Sequence, residues 1–239
     1  MANTYFRFKQ FVIHQCQSRM KVTTDSCLFG AWVAEQVFIS GLHDARILDI
    51  GTGTGLLSLM IAQKNKCKID AIEIDDAAAQ EAQENVSASK WKYDISVVHA
   101  DILEWVPVTK YDVIVCNPPF YETDLTSPDL RKNIAHHSHN LTLAELLVRI
   151  KALMTANCAC FVLLPFRRKD ETTKLFQENN FFINNEVVIH PAAKNSAFRL
   201  MLQFSRHNSP TEKSHMYFKE ENTYSERFIQ LLKDYYLYL

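Results

Sequence analysis

From residue 46 onward the chain alternates short, β-prone apolar runs with longer stretches whose apolar residues recur at helical spacing. The runs "RILDI" (46–50), "CKIDAIEI" (67–74), "ISVVHA" (95–100), "YDVIVC" (111–116) and "CACFVLLP" (158–165) predict five strands. Segments 55–64, 76–88, 141–155 and 169–179 predict the helices between them. Strand and helix in alternation predict a parallel sheet covered by helices on both faces. Two further runs, "FFINNEVVIH" (181–190) and "AFRLMLQFSR" (197–206), are joined by a connection too short for a helical crossover, so they are expected to pair antiparallel. The stretch "RHNSPTEKSH" (206–215) reads as a polar loop ahead of a last helix in "SERFIQLLKDYYLYL". The expected organisation is an N-terminal extension (1–45), an α/β domain (46–206) and a C-terminal loop and helix (207–239) packed on that domain.

The ends of the strands carry the candidate chemistry. All five glycines lie between residues 30 and 55, and three fall in "LDIGTGTGLLSLMIAQ" (48–63), a strand, a tight turn and a helix. Glycines there let the backbone turn sharply and let a ligand touch the main chain. A dinucleotide site of pattern G-x-G-x-x-G fails, because its sixth position counted from Gly51 is Leu56. The stretch resembles motif I of the class I S-adenosylmethionine-dependent methyltransferases, with Asp49, Gly51, Gly53 and Gly55 in the motif positions. Glu73 ends the second strand about 20 residues later, where a carboxylate can accept from ribose hydroxyls. The resemblance implies that Asp101, ending the third strand, reaches the adenine amino group with Ile102 beside it. It also implies the fold: an α/β, Rossmann-like sheet of seven strands, mostly parallel with an antiparallel C-terminal strand, and helices on both faces.

The fourth strand runs into "NPPFYETD" (117–124). Pro118 and Pro119 cannot donate to a ladder and hold the residue before each of them extended, so the backbone is stiff where the strand stops. An amide side chain and a carbonyl held side by side there suit a planar NH2 group. Asn117, Pro118, Pro119 and Phe120 resemble the [N/D/S]-P-P-[Y/F/W] motif of class I methyltransferases that act on amino nitrogens conjugated to a π system. Such a nitrogen is a poor nucleophile. The resemblance makes Asn117, Pro118 and Phe120 the catalytic set, with Asn117 also beside the cofactor. Accepting both N–H hydrogens, through the Asn117 side-chain oxygen and the Pro118 carbonyl, aligns the lone pair on the sulfonium methyl. Phe120 or Tyr121 would stack on a target base swung out of its strand.

Several amino groups suit this chemistry: adenine in nucleic acid, glutamine in a protein, guanine N2 in rRNA. A non-catalytic RNA-binding module on the same scaffold is the remaining alternative, and the intact motifs argue against it. The opening "FKQFVIHQCQSRMKVTTDSCLFGAW" (8–32), with "AHHSHNLTLAEL" (135–146) and "YSERFIQLLKDYYL", resembles the bacterial tRNA1(Val) adenine-N6-methyltransferase family over nearly the whole chain. That resemblance implies N6-methylation of adenosine 37, next to the anticodon, by a cytoplasmic, monomeric enzyme using S-adenosyl-L-methionine. It maps Thr24 and Asp25 to the segment that closes over the methionine end of the cofactor. Thr23 and Ser26 depart from the family, standing where many members have Gly, and "AHH" replaces an Arg-His pair.

Composition changes this picture at one point. The formal net charge is -1, so any nucleic-acid footprint must be local. The first 24 residues hold Arg7, Lys9, Arg19 and Lys21 and no acidic residue, interleaved with Tyr5, Phe6, Phe8 and Phe11. This segment is therefore expected to bind tRNA, its cations on phosphates and its rings on loop bases. The competing reading is an arm packed on the core by its phenylalanines. His136, His137 and His139 lack an acidic or cysteine partner at ligand spacing, so no metal is expected and His137 is assigned to RNA contact. Arg167, Arg168 and Lys169 follow the fifth strand, near the expected cofactor rim. Six scattered cysteines are expected to be reduced and mostly buried, and no apolar run is long enough for a membrane span.

Overall fold

A computed structural model describes residues 3–18, 20–118, 141–221 and 223–239. After a short hairpin, β1 (Tyr5–Arg7) and β2 (Val12–His14), the chain runs α1 (Thr24–Ile39), β3 (Ala45–Ile50), α2 (Leu56–Lys64), β4 (Cys67–Glu73), α3 (Asp76–Ser87), β5 (Ile95–His99) and β6 (Tyr111–Cys116). It continues through α4 (Leu143–Leu153), β7 (Met154–Pro165), α5 (Lys169–Glu178), β8 (Phe182–Ala192), β9 (Arg199–Ser205), β10 (Glu212–Glu220), β11 (Thr223–Tyr224) and α6 (Glu226–Leu232).

One sheet orders these strands β11-β10-β8-β9-β7-β6-β3-β4-β5. β5, β4, β3, β6 and β7 are mutually parallel, and β9 runs antiparallel between β7 and β8. The seven expected strands are all present. The sheet is larger than expected because residues 212–220, part of which reads as loop, form β10 parallel to β8, with β11 beyond it. In "EKSHMYFKE" only Met216 and Phe218 turn toward the core, so an edge strand with one open face looks like a polar linker in sequence.

Two apolar layers flank the sheet. On one side α1, α2, α6 and the N-terminal arm bury Phe8, Phe11, Ile13, Trp32, Met60 and Phe228; on the other, α4 and α5 bury Leu146, Leu147, Ile150 and Phe176. α1 starts on a capping box in which the Thr23 side chain accepts from Ser26 N and Ser26 Oγ accepts from Thr23 N. The two residues that depart from the family pattern therefore do a helix-capping job. Gly30 lets α1 and α2 touch: a Cβ there would lie 2.8 Å from Met60 Sδ.

Strand order reverses between β3 and β6, whose neighbours diverge to opposite edges of the sheet. In such sheets the carboxyl ends of the strands open a crevice at this point. Asp49, Glu73 and Asn117 come together there because each lies at or next to the carboxyl end of β3, β4 or β6.

Candidate active site

The β3–α2 turn is held open from within. Gly51 and Gly53 have φ of 70° and 57°, a region that excludes most side chains, and α2 begins on Gly55. Four N–H groups of this loop are already committed: Gly51 and Thr52 donate to Ile72 O, Gly55 to Thr52 O, and Gly53 to Glu73 Oε2 at 2.8 Å. A pyrophosphate would need such donors free. Two carboxylates instead stand against the loop, Asp49 bonded to Thr52 and Glu73 to Gly53, which suits a cationic ligand.

Asp49 is fully buried. Its Oδ2 accepts from Thr52 Oγ1 and Ser58 Oγ, both at 2.7 Å, while Oδ1 has no partner among the described residues. Burial pushes its pKa up to about 6; the two hydroxyls oppose the shift and the nearby Glu73 adds to it. Such an orphaned buried acceptor calls for a donor that the described residues do not supply. Glu73 is also buried, and Oε1 accepts from Ile74 N and Asp75 N while Oε2 accepts from Gly53 N. Three of roughly four acceptor positions are thus filled. Glu73 braces the glycine loop as well as facing the crevice, and a ribose diol would have to share its last acceptor position.

Asp101 Oδ1 accepts from Leu103 N at 2.8 Å, forming the turn after β5. Ile102 is buried under α4, and its carbonyl accepts from Arg149 Nε at 2.5 Å. Asn117 is half-buried at the end of β6 and Pro118 is buried. Asp49 and Ile50 pair with Val115 and Cys116, which puts the β6 terminus beside Asp49, and the Cys116 thiol is pushed well up by burial and then by the charges of Asp49 and Glu73. Phe120, Tyr121, Arg19 and His137 lie outside the described residues.

Thr24 is the exposed first residue of α1, and Asp25 receives Arg199 Nε at 2.7 Å. This pair ties the start of α1 to the first residue of β9, opposite Pro165. Glu81 and Asn85, four apart on α3, were not legible as functional in the sequence. Glu81 Oε1 accepts from Cys16 N at 2.5 Å and Gln17 N at 2.9 Å, and Oε2 accepts from Ser18 N at 2.8 Å. Asn85 holds both His14 backbone groups and donates to Thr54 O at 2.9 Å. The arm is thereby fixed over the glycine loop, with Ser18 Oγ 4.0 Å from where a Gly53 Cβ would sit. The available signal was a pair of polar residues on the apolar face of an amphipathic helix. Charge-assisted bonds of this kind are worth roughly 1.5–3 kcal/mol each. Glu81→Ala is expected to expose residues 14–18 to limited proteolysis and to weaken methyl-donor binding at least about tenfold by calorimetry; unchanged donor affinity would show that the arm does not shape the crevice.

The rest of the basic arm is less available than its composition suggests. Phe8 and Phe11 are buried and stacked at 4.5 Å, so neither ring faces solvent. Lys9 Nζ donates to Lys233 O at 2.5 Å, and Lys21 Nζ donates to Gln15 O and Ser18 O. Arg7 is exposed. Arg168 is paired with Glu171 and Lys169 with Glu186.

Residues 21–145 match the methyltransferase small domain family. The chain is 40% identical to a protein of Dyadobacter fermentans named tRNA1(Val) (adenine(37)-N6)-methyltransferase, over 98% of each chain. Proteins of the same name from Bacteroides thetaiotaomicron and Vibrio vulnificus are 36% and 34% identical, the first over 100% of both chains and the second over 97% of this chain and 95% of its own. The chain belongs to this methyltransferase family. Solved structures agree on the fold: a predicted O-methyltransferase from Agrobacterium tumefaciens superposes with a TM-score of 0.64 at 16% identity, covering 87% of this chain and 95% of its own. A ribosomal protein L11 methylase from Lactobacillus delbrueckii gives 0.59 at 17%, covering 82% and 84%. The cofactor of such a family is S-adenosylmethionine, and the orphaned Asp49 oxygen and acid-lined glycine loop fit its cationic methionine end. Among the described residues no cluster of metal-binding side chains occurs, all six cysteines are free thiols, and no helix is long and apolar enough to cross a membrane.

Proposed function

We propose that this chain methylates N6 of adenosine 37 in tRNA1(Val), in the cytoplasm. The observation that carries the reading is the position of Asn117 and Pro118, on a stiff strand end beside the acid-lined loop, in a chain similar over its whole length to enzymes of that name. Asp49, Glu73, Asp101 and the backbone of Gly51 and Gly53 would hold S-adenosylmethionine, which supplies an electrophilic methyl group on a sulfonium. Thr24 and Asp25 would close the methionine end.

The Asn117 side-chain oxygen and the Pro118 carbonyl accept the two N6 hydrogens, turning the delocalised lone pair out of the ring plane. These bonds strengthen as the nitrogen pyramidalises, so they lower the barrier more than they tighten substrate. The amine proton leaves after the methyl has transferred, and no strong base is needed. Phe120 or Tyr121 stacks on the adenine, a contact worth roughly 1–3 kcal/mol. Phe120→Ala is expected to raise KM for tRNA and lower kcat together; a defect confined to Tyr121→Ala would move the stacking ring by one residue.

Methyl transfer from labelled S-adenosylmethionine to total RNA and total protein of a deletion strain, followed by nucleoside analysis, tests the reading. N6-methyladenosine in tRNA is the expected product. Label in protein, or in another nucleoside, would overturn it. Calorimetry is expected to give heat with S-adenosylmethionine and none with NAD.

A further inference from the structure

β10 carries two different faces. Its even positions Met216 and Phe218 pack toward α6, whereas the odd positions Lys213, His215, Tyr217 and Lys219 alternate onto the other face, and all but Tyr217 are exposed. No carboxylate stands among them on β10. The one acidic neighbour across the ladder, Glu186 opposite Lys213, is bonded to Lys169. His190 of β8, in register with Tyr217, stacks on that ring at 4.9 Å, and its Nε2 lies 2.9 Å from His215 Nδ1. His190 Nδ1 lies 3.0 Å from Asn195 O and so donates there. One hydrogen bond between two rings then fixes both histidines, and His215 Nε2 has no partner among the described residues. Lys219 Nζ sits 5.7 Å from the Tyr224 ring. The strip is thus ordered by ring stacking and bonding rather than by anionic partners.

Register places this strip relative to the methylation site. The row through His215 passes Val188, Leu200 and Leu164, and Leu164 is two residues beyond Val162, which pairs with Cys116. His215 is therefore level with Pro118, four strand spacings away, or roughly 19 Å along the sheet. β10 is parallel to β8 and hence points its carboxyl end to the same edge as β3, β4 and β6.

We propose that this face of β10, with His190, is a phosphate-binding strip that holds the backbone of the same tRNA whose adenosine is inserted at Asn117. The proposal rests on the tRNA reading above. Charge complementarity selects the occupant: Lys213 and Lys219, on a face whose one acidic neighbour across the ladder is already paired, suit phosphodiester oxygens, which fix register without reading sequence. The near-neutral chain offers no general field that would do the same work. On the N-terminal arm, Lys9 and Lys21 are already turned to main-chain carbonyls.

The test uses the full chain with Lys213→Glu, His215→Glu and Lys219→Glu together, and unmodified tRNA1(Val) transcript in filter binding across a salt series. Each phosphate contact contributes roughly 0.7–0.9 to the slope of log affinity against log salt, so the slope should become shallower by about 2. Affinity should fall about tenfold or more, with S-adenosylmethionine binding unchanged. Lys90→Glu with Lys110→Glu, at the opposite ends of the strands, is the control and should bind tRNA nearly as the unaltered chain does. If the triple variant matches that control in affinity and slope, the strip does not bind tRNA. If the unaltered chain binds no tRNA, both readings fall, whereas binding without methylation overturns only the earlier one. Should the Glu triple lose S-adenosylmethionine binding, the Gln triple at the same positions decides by the same slope.

Discussion

Asn117→Ala is expected to lower kcat about 10²-fold or more while leaving the affinity for S-adenosylmethionine nearly unchanged. The substitution is clean for a structural reason. The Asn117 side chain makes no hydrogen bond to another described residue, Pro118 beside it is buried, and β6 is laddered on both sides by β3 and β7. Removing the amide should therefore leave the strand end and the Pro118 carbonyl in place. What goes is one acceptor for the target amine, whose bond matters most when the nitrogen pyramidalises. Asn117→Asp keeps an acceptor oxygen and should lose less. Single-turnover kinetics separate the chemical step from binding. A collapse of donor affinity in Asn117→Ala would instead make the residue structural.

The second large effect belongs to Asp49. An acid whose folded pKa is raised stabilises the protein only while protonated. Unfolded, it titrates near 4, and folded, near 6. Between those values the native state binds the extra proton, so stability falls as pH rises through that window and the full cost, on the order of 3 kcal/mol, is present above it. Comparing ligand-free wild type with Asp49→Asn in urea melts should show the variant gaining on the wild type between pH 4 and 6, then running parallel. A constant difference would mean Asp49 does not titrate there. A cationic ligand reverses the balance by favouring the carboxylate. Donor binding to the wild type should therefore tighten as pH rises toward 7 and release a proton below about 6, while Asp49→Asn binds at least about tenfold more weakly and without that dependence. Ligand-free instability and ligand affinity would then share one carboxylate.

Most of the sheet was legible because its strands are buried on both faces and read as unbroken apolar runs bounded by turn residues. The β3–α2 loop was legible because only glycine satisfies its backbone. β10 was not: with one face open, seven of its nine residues are polar or tyrosine, and the core-facing pair Met216 and Phe218 is too short a signal. The arm was legible in part. Its aromatics and cations have the composition of an RNA-binding segment, while the packing of Phe8 against Tyr236 rests on a partner that local pattern cannot supply. Glu81 and Asn85 were invisible for the same reason, since their partners on the arm lie more than 60 positions upstream.

That clasp between the two ends of the fold bears on the order in which the protein matures. Lys9 N donates to Tyr235 O at 2.8 Å, and Phe6 and Phe8 lie against Tyr236, so part of the arm's anchor is translated long after the arm itself. The sheet from β3 to β7 can assemble on the ribosome and residues 14–18 can then dock on α3, but residues 6–9 lack part of their seat until residue 236 has emerged. A nascent chain would thus hold the outer part of its arm unseated until α6 and the residues after it have emerged.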